Sequence, residues 1–497
     1  GDLELKYDNA NKIYLSGGSS KYIDSATLWS TIGEETTQYD IDNNLQIDAS
    51  NEQIVYASDA SVTAGGQFGS SCAISGEYII VGRREASDVA SAAGAAYIFK
   101  RFGNTFIHDT KLVSPSPVAW DQFGISVDID GDYAIVGAEG ADSAFVYHRS
   151  GGTWSQQAKL TSGTSSTRFG WSVSISGDYA VVGAYLDDTG GSDRGKVYIY
   201  KRSGTTWTEQ TTIQASDAQN SDNFGKTVSI DGDTIVIGAA SEDEGGTDAG
   251  AVYVFTGSGS TWTQQVKLMA GDIEAQDWFG WSVSISGNTI VVGANQEGTG
   301  GTNAGAAYVF TGSGSTWTEQ AKLMASDYAA SDYYGYSVSI DGDYIIVGAN
   351  QEDTGGSNAG SAYVYSRSGS TWSEIKKIQA SNVSAGPQFG IAVAIENGTV
   401  CIGAIYETTY GSQSGAAYIY PSQVTKNYYI NEPGKYSVDA TIAGLNYKTN
   451  EVEVTGSITP AKSWNWGTKT TLTGDNVVSG DEFGKCIDMN GDTIVVG

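Results

Sequence analysis

The stretch FGWSVSISGDYAVVGA, residues 169 to 184, recurs along the chain with almost no change in length, and that recurrence limits the available folds more than any other feature. Its leading aromatic-Gly pair falls at Phe68, Phe123, Phe169, Phe224, Phe279, Tyr334, Phe389 and Phe483, in steps of 55, 46, 55, 55, 55, 55 and 94 residues. A fixed period of this size marks one supersecondary unit that buries its apolar face only by stacking on its neighbours. Inside each copy the Gly after the aromatic precedes a second Gly by 13 residues, as from Gly170 to Gly183 and from Gly335 to Gly348. Val173, Ile175, Ala180 and Val182 alternate with polar residues about a Ser-Gly turn, and other copies have Asp-Gly or Asn-Gly there. These dipeptides accept positive φ and close two-residue hairpins.

Each full copy continues with a short aromatic run, KVYIY (196–200) or AVYVF (251–255), which reads as a third strand. A fourth follows in GSTWTEQAKL (314–323), where Trp317, Ala321 and Leu323 alternate with Thr318, Gln320 and Lys322 and leave a polar, lysine-bearing face suited to a sheet edge. Four strands per copy, seven copies in succession, predict an all-β, seven-bladed propeller. The seventh copy has no fourth strand after AAYIY (416–420), whereas ASNEQIVYASD (49–59) carries the Ala-Ser-Asp ending of the outer strands. Residues 49–56 are therefore expected to supply the outer strand of the last blade, within a propeller spanning 49–421. Residues 422–465, with a Pro-Gly turn and polar-apolar alternation, read as a small β-sandwich spacer of immunoglobulin-like type. Residues 1–48 read as part of a similar spacer, and 466–497 as the truncated start of a second propeller, so the sequence is expected to be a segment of a longer propeller-spacer array.

Composition narrows the function classes. The 57 acids against 27 bases give a net charge of −30, which repels nucleic acid and anionic membrane. Cys72, Cys401 and Cys486 form no metal-binding pattern, and no apolar run reaches the length of a membrane span.

Phe-Gly-x-x-Val-x-Ile in the first strand and Val-Val-Gly-Ala at the end of the second (181–184, 291–294) resemble FG-GAP repeats, the propeller repeats of integrin α-chains and related extracellular proteins. The resemblance covers 49–421 and restarts at 466. It implies a seven-bladed propeller, a location outside the cell or on its surface, and a non-enzymatic role. Repeats of this kind often hold calcium between the first two strands, where this chain has only tight turns such as Ser176-Gly177-Asp178. The acids gather instead after Gly-Ala, at Asp187, Asp188 and Asp193, at Glu242, Asp243, Glu244 and Asp248, and at Glu352 and Asp353. Those loops are the candidate calcium sites. Blade two, shorter by a step of 46 against 55, lacks most of this loop and should leave a notch.

Two histidines, His108 and His148, lie in no nucleophile motif. The Asp two residues before the aromatic (Asp121, Asp222, Asp277, Asp332) is expected to accept backbone hydrogen bonds in the turn entering each blade. The recurring Trp154, Trp207, Trp262, Trp317 and Trp372 are expected to pack between blades. Asn382 and Asn397 open glycosylation sequons. Near-identical blades should present the same groups seven times and so leave no unique pocket. These features point to a structural or adhesive protein that associates with further copies of itself, as in a fibre or surface appendage, or binds an extracellular protein or glycan. The alternatives are a receptor ectodomain that binds through loops on one face, or an appendage of a larger secreted enzyme.

Overall fold

A computed structural model describes residues 51–58 and 65–422, and outside them only short strands. The chain divides into two compact units, Tyr39–Gln423 and a second formed by Gly1–Gln38 with Val424–Gly497. In the second unit Lys6–Tyr7, Lys12–Leu15 and Lys21–Asp24 form a three-stranded antiparallel sheet, and Gly434–Tyr436 pairs with Val452–Val454. Thr36–Tyr39 pairs with Val424–Asn427, and Thr441–Ile442 with Leu445–Asn446; most of the remainder of the spacers expected at 1–48 and 422–465, and most of the eighth repeat, lies outside the described residues.

The larger unit contains seven four-stranded antiparallel sheets. Blade five shows the pattern: Phe279–Ser286, Thr289–Ala294, Ala306–Ser313 and Thr316–Leu323 follow one another from the axis outward. The innermost strand of each blade touches that of the next, and blade seven touches blade one, so the ring is closed. In blade seven the outer place is taken by Gln53–Val55, with Val55 opposite Ala417 and Ile54 opposite Tyr418.

The 13-residue interval between glycines now has a cause. Gly170 has φ 92, and its N–H donates to the Gly183 carbonyl at 3.1 Å, which fixes strand one against strand two. A Cβ on Gly183 would stand 2.1 Å from the Gly225 carbonyl of the next blade. The first glycine makes the turn and the second admits the neighbour's backbone. The aromatic before the first glycine is fully buried in every blade, from Phe68 to Phe389, and packs edge-on against third-strand rings, as Phe279 does on Tyr308 and Phe310. Burial of each such ring contributes about 1.5–3 kcal/mol.

The tryptophans of the outer strands do pack between blades. Trp154 meets Tyr78, Trp207 meets Tyr133 and Trp262 meets Tyr179 at ring distances of 5.8, 6.2 and 5.5 Å, each tyrosine belonging to the preceding blade. Trp372 donates from Nε1 to Gln320 Oε1 of blade five at 2.8 Å.

Candidate functional site

The strands run from the aromatic-Gly pair at one end of the axis to a hairpin turn at the other, and the two ends are built differently. At the turn end, the last side chain of each first strand accepts a hydrogen bond from the backbone N–H in the next blade's turn. Ser75 accepts from Gly131, Asp130 from Gly177, Ser176 from Gly232 and Asp231 from Gly287. Ser286 accepts from Gly342, Asp341 from Asn397 and Glu396 from Gly76, which returns the series to blade one. All seven are 2.6–3.2 Å long. Serine and acid alternate, and because seven is odd, two acids, Asp341 and Glu396, become neighbours. Burial, with Asp341 and Asp130 adding to it, pushes the Glu396 carboxyl up to about 7.

The aromatic-Gly end carries the departures from repetition. The residue two beyond the aromatic is Ser70, Ile125, Trp171, Lys226, Trp281, Tyr336 and Ile391 in blades one to seven. With Arg84, Gln388 and Tyr406 these line an axial cavity of about 410 Å³. The expectation of no unique pocket is thereby corrected: seven like blades still bring unlike groups to one point, because this position, the one before the aromatic (Arg168, Trp278, Gln388) and the one after Gly-Ala (Glu139, Tyr185, Ile405) vary while the strands around them repeat. These columns are visible in the sequence as the places where the copies differ.

Lys226 stands at the centre of this mouth. Its Nζ lies 4.0 Å from the Tyr185 ring centre, 4.2 Å from Trp171 and 5.5 Å from Trp281. Burial lowers its pKa to about 8, opposed by Glu139 and assisted by Arg168. Glu139 arrives there because blade two replaces the long loop with one 3-10 turn, Glu139–Ala141, where the notch was expected. Its buried carboxylate pairs with Arg168 at 3.2 Å. The mouth thus carries Lys226, Arg84 and Arg168 against Glu139, a local positive balance in a chain of net charge −30.

The loops after Gly-Ala lie farther out, and their acids divide into two roles. Asp187, Glu242 and Glu352 are buried and accept backbone N–H groups, from Thr189 at 2.9 Å, Glu244 at 3.1 Å and Thr354 at 2.9 Å. Asp188, Asp243 and Asp353 instead accept the amides of Asp193, Asp248 and Asn358, closing the loop. Lysines reach the buried acids: Lys267 lies 2.9, 2.8 and 2.6 Å from Asp217, Glu242 and Glu244. Lys322 bridges Asp272 and Glu297, and Lys377 bridges Asp327 and Glu352. Asp272 and Asp327 belong to the Ala-Ser-Asp or Ala-Gly-Asp segment between blades, and also accept the hydroxyls of Tyr308 and Tyr363. Each lysine therefore latches one blade to the next. Burial works against ionisation of Asp327, yet the hydrogen bonds of Lys377 and Tyr363 outweigh it and hold the carboxyl low. Among the described residues, Asp217, Glu242 and Glu244 are the one set placed to share a metal ion, and the Lys267 ammonium lies among them.

The entry-turn aspartates accept backbone N–H groups as expected, Asp121 from Val118, Asp222 from Gln219, Asp277 from Glu274 and Asp332 from Ala329, at 2.6–2.7 Å. Burial pushes Asp222, Asp277 and Asp332 up to about 6. His148 stacks on Tyr133 with ring centres 4.5 Å apart, away from the axial cavity. Asn382 accepts the Tyr418 hydroxyl at 2.7 Å in the place the latch aspartates hold in other blades. Asn397 occupies the blade-seven hairpin turn with φ 47.

The family model for the FG-GAP repeat matches residues 50–99, 107–152, 154–200, 207–255, 262–310, 317–365, 372–420 and 466–497. No curated protein matches the chain. Among solved structures, the chain is similar to U3-55K at 9% identity, covering 75% of this chain and 99% of that one with a TM-score of 0.49. It is similar to Sqt1 of Saccharomyces cerevisiae at 9% identity, covering 72% and 96% with a TM-score of 0.41. A protein from Lactobacillus plantarum is 14% identical, with coverage of 65% and 86% and a TM-score of 0.42. At these levels none of the three bears on function.

Proposed function

The chain belongs to the FG-GAP repeat family, and from that premise we propose that it is a non-enzymatic, extracellular adhesive protein whose propeller is a rigid disc presenting one axial mouth to a partner. A single observation carries this reading: repetition closes the ring at the turn end, while the opposite mouth gathers Trp171, Lys226, Trp281 and Tyr336 at a repeat position that varies from blade to blade. A disc held by repeated bonds is stiff, and a stiff frame holds a few unlike groups where a ligand meets them. FG-GAP propellers are typical of extracellular, non-catalytic proteins, which supports the assignment. No helix among the described residues is long and apolar enough to cross a membrane.

The test is adhesion of the full chain, immobilised on a surface, to cells and extracellular matrix. Substitution of Trp281 by Ala should abolish retention, while changes on the exposed outer strands, such as Thr318→Ala, should not. Retention unaffected by any mouth substitution would defeat the reading.

A fibre built from alternating propellers and spacers is a second reading, supported by the eighth repeat match at 466–497 after the seven of the ring. Electron microscopy of the native material would support it by regular head-to-tail contacts and refute it by dispersed single particles. Asn382, exposed, and Asn397, half-buried on its hairpin turn, are the two candidate glycan positions, to be sought by mass measurement of the secreted protein.

A further inference from the structure

We propose that the axial mouth binds the acidic end unit of a saccharide, with its carboxylate on the ammonium of Lys226 and a sugar ring against Trp281 and Tyr336. The inference rests on the adhesive reading and names the chemistry of the partner.

Lys226 makes the first part of the case. An ammonium carries three N–H donors, and that of Lys226 is half-buried. Three aromatic rings flank it, but among the described residues its Nζ makes no hydrogen bond or salt bridge. The nearby acid, Glu139, is committed to Arg168 at 3.2 Å. Lys226 also lines the cavity, so the donors are within reach of a ligand. Its rings hold the charge in place without satisfying its hydrogen bonds.

The surrounding charge favours an anion over a neutral acceptor. Arg84 lines the same cavity, with Nε on Gln67 Oε1 at 2.7 Å. Arg168 stands across from it with Glu139 as its partner. Inside a cavity such groups are screened by salt far less than the acids spread over the outer surface.

Shape selects the body that carries the anion. A volume of about 410 Å³ lies within the roughly 300–1,000 Å³ typical of small-ligand sites. Trp278 stacks on Trp281 at 5.0 Å and braces its indole, and Tyr336 stands 5.6 Å away with its ring tilted 59° to it, so the two rings form an angled apolar corner. A pyranose offers one C–H face to such a corner and hydroxyls to the Ser and Thr rim, among them Ser70, Ser282 and Thr227. The side chain of an acidic peptide has no flat face to use it.

The test is calorimetric titration of the full chain with D-galacturonate and N-acetylneuraminate, and with D-galactose, acetate and triglutamate for comparison. One acidic sugar should bind saturably, at least tenfold tighter than galactose, acetate or triglutamate. K226M should weaken that binding at least tenfold and W281A at least fivefold, with K226M melting within a few degrees of the parent. Failure of both acidic sugars to bind would overturn the proposal. So would acetate or triglutamate binding as tightly as the sugar, or K226M binding unchanged. Adhesion that survives K226M in a chain that binds no acidic sugar would sink the site and leave the adhesive role; sugar binding without adhesion would do the reverse.

Discussion

The two ends of the axial channel are made by the same seven strands and have opposite characters. At the turn end, positions Ser75 to Glu396 make one kind of bond seven times, and each bond needs the next blade to complete it. At the other end, the position two beyond the aromatic changes from Ser70 through Lys226 to Ile391 while every blade keeps its four-stranded order. The difference teaches that closure and recognition are separable here. Closure resides in what every copy shares, and the binding proposed for the mouth would reside in the columns where the copies differ.

The largest effect should come from breaking a shared position. Gly348→Val would press its side chain on the Gly390 carbonyl, which a Cβ would already meet at 2.0 Å. A loss of about 3 kcal/mol or more is expected, seen as failure to melt cooperatively, whereas Tyr336→Ser at the mouth should cost under about 1 kcal/mol. Equal losses in denaturant titrations would erase the contrast.

Opening the seam should come next. Ile54→Pro removes a ladder donor from the strand that completes blade seven and should cost about 3 kcal/mol. Thermal melting checks the loss, and limited proteolysis should then cut first within blade seven or before residue 65.

A smaller effect sharpens the comparison through pH. Glu396, pushed up to about 7, and Asp222, Asp277 and Asp332, up to about 6, hold protons in the fold that the unfolded chain has released. Their stabilising contribution is present in acid and declines as pH rises from about 4 to about 7. The latch acids Asp272, Asp327 and Glu352 are held low, so their contribution is lost only as pH falls below about 4. The melting temperature should peak in mild acid, near pH 5, and Glu396→Gln should flatten its decline toward pH 7. A maximum above pH 7, unmoved by that substitution, would contradict the assignment.

The smallest effect concerns metal. Because Lys267 already sits among Asp217, Glu242 and Glu244, a chelator should move the melting temperature by less than about 1 °C. A fall of several degrees, restored by calcium, would show that an ion contributes to these loops.

Much of the disc was legible because its rules are local. The Ser-Gly and Asp-Gly turns, the fixed glycine interval and the alternation through Val173 and Ile175 each report a backbone requirement that sequence states directly. The mouth was not legible in that way. Nothing in Lys226 or Trp281 taken singly says that residues 55 apart meet at an axis; only the stacking of one blade on the next brings them together. The acidic loops misdirected in a different manner. Glu242 and Asp243 look alike in sequence, yet one is buried under a lysine and the other caps its own turn. Glu297 and Glu407 hold the same buried place as Glu242 and were passed over because fewer acids stand beside them.

The central claim is a ring of seven equal bonds with no weak joint, and amide hydrogen exchange resolved residue by residue measures it most directly. Gly76, whose N–H crosses from blade one to Glu396 of blade seven, should exchange as slowly as Gly131, Gly232 and Gly342 within the ring. Exchange of Gly76 at the rate of an open chain, with the others protected, would show a disc split at its seam and contradict the claim.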